Sequence, residues 1–192
     1  SLVHLKNEVN PSELSSIKEM VYGYCSDFLL TDDGEVYSFG INDLAGLGQK
    51  FYNKDKNNPF WNEWTGLPCR VDIDEKVTHI YGNSQDLTFA ALTESGKLYG
   101  WGNNRYGIIP SEDNIVSTPT LINFDQKILA ADIGQMFLIV LAEDGNAYYC
   151  GWKGLGSEYA FAEIDEYPDI CRNDSYMDFR KIEVPDGESV QT

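Results

Sequence analysis

Phe28-Leu-Leu-Thr-Asp-Asp-Gly-Glu-Val-Tyr-Ser-Phe-Gly40 is written twice more in this chain, with variations. The second copy is Phe89-Ala-Ala-Leu-Thr-Glu-Ser-Gly-Lys-Leu-Tyr-Gly-Trp-Gly102, and the third is Phe137-Leu-Ile-Val-Leu-Ala-Glu-Asp-Gly-Asn-Ala-Tyr-Tyr-Cys-Gly151. Gly34, Gly96 and Gly145 mark the same point in each copy, 62 and 49 residues apart. Three positions after each stands a tyrosine (Tyr37, Tyr99, Tyr148), and six positions after each another glycine (Gly40, Gly102, Gly151). A period near 50 residues belongs to propeller repeats and is too long for most helical solenoids.

The residues of one copy explain its shape. Each opens on a short apolar run that suits a strand buried on both faces. Asp33-Gly34 and Asp144-Gly145 are expected to supply the positive φ angles of a tight hairpin turn, with Gly96 doing so alone in the second copy. The residues after the turn return as a partner strand, and the closing glycine suits a close backbone approach. Gly and Asn interrupt the chain too often for helices. Only residues 11–20, with Asn10 as cap and Pro11 at the first position, are able to start one, and they serve equally as a loop into the first repeat. The expected fold is all-β: three consecutive propeller blades in one domain over 1–192, with units at 17–76, 77–127 and 128–185. Residues 1–16 are either a lead-in or the tail of a preceding blade. Between the repeats, 49–67, 110–124 and 153–185 read as variable connections, the first and last carrying Trp61, Trp64 and Tyr159 as possible aromatic anchors.

Thr31 to Gly48 and Thr93 to Gly107 resemble the repeat of the regulator of chromosome condensation family, and the third copy matches through Gly151 before departing. The resemblance covers about residues 17–185. It implies blades of four strands in a ring of seven, so three units are either part of a longer propeller, the favoured reading, with the remaining blades in a longer chain, or an open protein that must cover its edges. It also implies exchange of guanine nucleotide on a Ran-like small GTPase. Asp86 matches a carboxylate ahead of the second apolar strand. Two residues count against exchange: Met136 stands where an acidic residue is expected, and Gly102–Gly107 is a plain repeat turn in place of an extended wedge.

Charge and composition narrow the classes. With 31 acidic and 14 basic side chains the net charge is −17. Direct nucleic-acid binding is disfavoured, since Lys and Arg supply phosphate affinity, and a basic protein partner is favoured through long-range steering. No apolar run approaches the roughly 20 residues that cross a bilayer, so no membrane partner is expected. Cys25, Cys69, Cys150 and Cys171 have no metal or disulfide-framework spacing and read as reduced thiols of an intracellular, nuclear or cytoplasmic protein. No nucleophile–base pair, metal motif or phosphate loop is present, so no catalytic residue, metal or cofactor is expected. The candidate partner-binding residues are loop positions: Asp43, Asp86, Asn103, Asn104, Arg105 and Tyr106. The expected function is a protein–protein interaction propeller within a Ran-type GTPase regulator. The alternative is a non-catalytic, partner-recruiting propeller of a larger ubiquitin ligase or trafficking protein.

Overall fold

The computed structural model describes residues 8–49, 64–82, 87–134, 136–152 and 175–182, apart from the side chains of Asp43 and Trp64. Among the described residues, twelve strands form three four-stranded antiparallel sheets, each a meander in sequence order. The first contains β1 (Ile17–Tyr22), β2 (Ser26–Thr31), β3 (Val36–Ile41) and β4 (Trp64–Arg70). The second contains β5 (Val77–Gly82), β6 (Thr88–Thr93), β7 (Leu98–Asn103) and β8 (Ile115–Ile122). The third contains β9 (Ile128–Ile133), β10 (Phe137–Ala142), β11 (Ala147–Trp152) and β12 (Ser175–Lys181). The first strands β1, β5 and β9 are neighbours across the sheets, so the sheets converge there and splay outward as three blades of a propeller.

The two apolar faces of each repeat strand have separate tasks. In β6, Phe89 and Ala91 join a core with Phe28, Leu30 and Val36 of the first blade, while Ala90 and Leu92 join one with Leu138 and Val140 of the third. Every residue of β6 is therefore buried, as expected for a strand covered on both faces. In β10 the same kind of sequence alternates between buried and half-buried, because only one of its faces has a neighbouring blade among the described residues. Phe28 packs 4.5 Å from Phe89 and 5.5 Å from Trp101, ring centre to ring centre, which locks the first two blades with aromatic contacts.

The turn at Gly34 differs from the two-residue hairpin expected from Asp-Gly. Gly34 N–H donates to Thr31 O at 3.0 Å and Thr31 N–H to Glu35 O at 3.0 Å, which makes a three-residue loop with a bulge at the glycine. The other two turns repeat this at Thr93–Lys97 and Ala142–Asn146. Only the glycines take positive φ, at 87°, 83° and 78°; the preceding residues do not. Such a loop is a type I turn closed by one left-handed residue, so a single glycine is enough. In the third turn Asn146 and Tyr148 hydrogen-bond the Asp144 carboxylate and hold it well below the usual carboxylate range. The turns also tie blades together: Val77 N–H donates to Gly34 O at 2.9 Å and Ile128 N–H to Gly96 O at 3.0 Å.

Two sequence-based expectations are corrected by the strands. Residues 17–20, read as helix or loop, are the start of β1; the helical part is a single 3-10 turn at Pro11–Glu13, capped by the Asn10 side chain. The connections at 49–67 and 110–124 contain the outer strands β4 and β8, and the third contains β12. These strands lie at blade edges with mixed, half-exposed faces, so they lack the apolar runs that announce β2, β6 and β10. The residues ahead of β1 pair with the outer strand of the first blade. Glu8 forms an antiparallel bridge with Cys69 of β4, and Val9 N–H donates to Pro68 O at 2.8 Å.

Candidate partner-binding loops

The links between blades lie with the interlocked hairpin turns at one end, and the connections between the first and second and between the third and fourth strands of each blade gather at the other. Two devices in the repeat build that loop end. The first is the closing glycine. Gly40, Gly102 and Gly151 have φ of 108°, 95° and 105°. A Cβ on them would sit 2.3, 2.0 and 2.3 Å from the carbonyl oxygens of Cys25, Leu87 and Met136. Residues 41, 103 and 152 then donate their N–H groups to those same oxygens, at 2.7, 3.1 and 2.9 Å. The glycine brings two backbones together where the loop leaves the sheet.

The second device is an asparagine two residues on. Asn42 Oδ1 accepts from Leu47 N–H at 3.1 Å, and Asn104 Oδ1 accepts from Ile109 N–H at 2.8 Å. The Asn104 amide also donates to the carbonyls of Ile109, Ser111 and Asp113, at 2.9, 3.3 and 3.0 Å. Its side chain thus stands in for the missing strand partners of the whole turn. The third unit has Lys153 at this position.

Each loop is completed by the following blade. Trp101 Nε1–H donates to Gly46 O at 3.0 Å, and the Cys150 thiol reaches Ile108 O, its equivalent one blade later, at 3.8 Å. Burial pushes the Cys150 thiol up to about 12, so it acts as a small apolar side chain and not as a nucleophile. Replacing Trp101 with phenylalanine keeps most of the apolar surface and removes the donor. The expected loss is about 2 kcal/mol, from the unpaired carbonyl and the small void, read as a lower urea midpoint at unchanged slope.

Of the candidate residues, the structure turns three inward. Asn104 is 1% exposed, Tyr106 is 6% exposed and lies in the core between blades two and three, and Asn103 is buried with its Oδ1 accepting from Arg105 N–H at 3.2 Å. Arg105 is exposed at the tip of the same turn. Asp43 opens a 3-10 turn at Asp43–Ala45 with its side chain outside the described residues. Asp86, the side chain of Trp64, and Trp61 and Tyr159 also lie outside them. Two exposed aromatics at the loop end were missed by sequence reasoning. Tyr22, at the end of β1, is 70% exposed, and Tyr24, in the β1–β2 connection, is 73% exposed. The Tyr-Gly-Tyr string before the first apolar run was their only signal, since aromatics one residue from a strand normally read as core. Among the described residues no cluster of His, Cys, Asp or Glu is arranged to hold a metal. Among the described residues no helix is long and apolar enough to cross a membrane.

Residues 86–108, which run through β6, β7 and the Asn104 turn, match the model of the Regulator of chromosome condensation (RCC1) repeat. These residues form a regulator of chromosome condensation repeat. The chain is 31% identical over 133 residues to the Regulator of chromosome condensation of Mus musculus, covering 65% of this chain and 29% of that protein. It is 27% identical over 125 residues to the mouse E3 ubiquitin-protein ligase HERC2, covering 64% of this chain and 2% of the ligase. Among solved structures, Prp20p of Saccharomyces cerevisiae, described with its binding to Gsp1p and histones, superposes with a TM-score of 0.66 at 21% identity. That match covers 92% of this chain and 40% of Prp20p. The chain thus spans under a third of the mouse condensation regulator.

Proposed function

We propose that the chain is the partner-binding part of a propeller that regulates a small GTPase of the Ran class. The observation that carries this reading is the 31% identity to the mouse Regulator of chromosome condensation over 133 residues. The loop end supplies the contact chemistry. Arg105, Tyr22 and Tyr24 are exposed there, and arginine and tyrosine are the residue types that dominate interface energies. Asn103, Asn104 and Tyr106 set the shape of the turn that presents Arg105. The net charge of −17 favours a basic partner and steers its approach, a rate effect that salt weakens.

The test is direct titration of the chain with a Ran-class GTPase carrying a fluorescent GDP. Saturable binding and faster GDP release are the expected outcomes; no binding at any attainable concentration ends the reading. Arg105→Glu is expected to weaken binding about tenfold or more while leaving the melting temperature within a degree or two, since its side chain is exposed.

A second reading is favoured by the compactness of the 102–109 turn. With the Asn104 amide committed to the turn itself and Tyr106 in the core, only Arg105 projects from that tip. A recruiting propeller, like the domain that HERC2 shares with this chain, would bind its partner without accelerating nucleotide release. The same assay separates the two readings.

A further inference from the structure

We propose that the segments leading into blades one and three guard the Asp-Gly turns of those blades chemically: a side chain ahead of the first strand helps hold the turn aspartate as a hydrogen-bonded carboxylate and slows its spontaneous conversion to isoaspartate. This guard needs no partner and stands apart from the GTPase reading. Ser15, Glu75 and Gln126 stand two residues ahead of the starts of β1, β5 and β9. Asp33, Ser95 and Asp144 stand immediately before the three turn glycines. In every blade these two positions are hydrogen-bonded to each other. Ser15 Oγ–H donates to Asp33 Oδ1 at 2.8 Å, Ser95 Oγ–H to the Glu75 carboxylate, and Gln126 Nε2–H to Asp144 Oδ2 at 3.3 Å.

Asp33-Gly34 and Asp144-Gly145 are two of the chain's three Asp-Gly pairs; the third, Asp186-Gly187, lies outside the described residues. An Asp-Gly pair is open to isomerisation because glycine leaves its own nitrogen unshielded. That nitrogen loses its proton and attacks Cγ of the protonated carboxyl. The new C–N bond closes a five-membered succinimide, and the carboxyl hydroxyl leaves as water. A second water opens the ring at either carbonyl. Opening at the backbone carbonyl leaves the chain running through the side-chain carboxyl, one methylene longer.

Both reacting groups are tied down in the two turns. Gly34 N–H donates to Thr31 O and Gly145 N–H to Ala142 O, each at 3.0 Å. Asp33 is held below the usual carboxylate range by the Thr31 and Ser15 hydroxyls, and Asp144 by Asn146, Tyr148 and Gln126. The ionised carboxylate is not attacked, and each unit of lowering removes about a factor of ten from the protonated fraction. Damage at the first turn would reach beyond it. Gly34 O accepts Val77 N–H at 2.9 Å across the joint of blades one and two, and an added methylene displaces it.

Blade two has the same contact with its polarity reversed. The carboxylate belongs to Glu75, which also pairs with Lys97, and the turn residue is Ser95, which has no carboxyl to cyclise. Ser95→Asp therefore creates an Asp-Gly turn faced by a carboxylate, with Lys97 shared between the two. Like charges favour the protonated, reactive form.

The experiment incubates the full chain at neutral pH and physiological temperature and counts succinimide and isoaspartate at each site by peptide mapping. Rigidity alone protects all three turns alike, so the decisive variant is Ser95→Asp. Its new Asp-Gly pair is expected to convert about threefold or more faster than Asp144-Gly145 in the same molecules, and adding Glu75→Gln to bring the rate back down. Ser15→Ala is expected to speed conversion at Asp33 and leave Asp144 unchanged, with Ser15→Thr restoring protection. Circular dichroism checks the fold of each variant, and if Ser95→Asp unfolds, the Ser15→Ala and Ser15→Thr pair decides. A Ser95→Asp turn as durable as Asp144-Gly145 overturns the proposal. So does a Glu75→Gln addition without effect, or an Asp33 rate that Ser15→Ala leaves unmoved.

Discussion

Gly102→Ala is expected to remove more than about 3 kcal/mol of stability, among the largest effects a single methyl group produces. Two costs add. The backbone at Gly102 has φ of 95°, a conformation that costs an L residue about 1–2 kcal/mol. The new Cβ would also lie 2.0 Å from Leu87 O, an atom of the backbone that cannot rotate away. Moving it breaks the hydrogen bond from Asn103 N–H, which starts the Asn104 turn. Gly145→Ala is the internal comparison. Its φ is 78° but no atom lies within 4 Å, so only the conformational cost of about 1 kcal/mol remains. Urea unfolding of the two variants side by side is the measurement, and equal losses would remove the argument from close approach.

Asn104→Ala is expected to cost roughly 3 kcal/mol, from the stranded buried N–H of Ile109 and the void left by a fully buried side chain, while Ile109 O keeps its bond from Ser111 N–H. Ser111 O and Asp113 O lie near the surface and regain water, so they add little. The diagnostic variant is Asn104→Asp. It keeps an acceptor for Ile109 N–H but aims a carboxylate at three carbonyl oxygens that now receive hydrogen bonds. Stability should fall as far as with alanine, or farther. A direct partner contact predicts the reverse pattern, with binding lost and the unfolding midpoint unmoved.

The part of this fold visible in the sequence is the part built by backbone geometry. Gly34, Gly96 and Gly145 recur because a bulged turn needs one left-handed residue, and Gly40, Gly102 and Gly151 because a carbonyl occupies the space of a side chain. Such demands leave no choice of residue, so they survive as a repeat. The outer strands β4, β8 and β12 leave no such mark, because an edge strand with one wet face tolerates many residues. The turn type was misread because Asp-Gly is compatible with either loop length, and the choice is made by where the strand hydrogen bonds close. The candidate site was legible as a place more than as a set of residues. Asn103, Asn104 and Tyr106 were read as turn positions, but sequence gives no way to tell an asparagine that faces a partner from one that satisfies its own loop. Burial decided it, and left Arg105 exposed.

The bonds from Trp101 to Gly46 and from Cys150 to Ile108 carry a consequence for how the chain is made. A loop whose last hydrogen bond comes from the next blade stays incomplete until that blade exists. On a ribosome, the Asp43–Gly48 turn must wait for Trp101, 55 residues downstream, to leave the exit tunnel. Structure should then ripen in steps that trail synthesis by one repeat, with each new blade finishing the loops of the one before it.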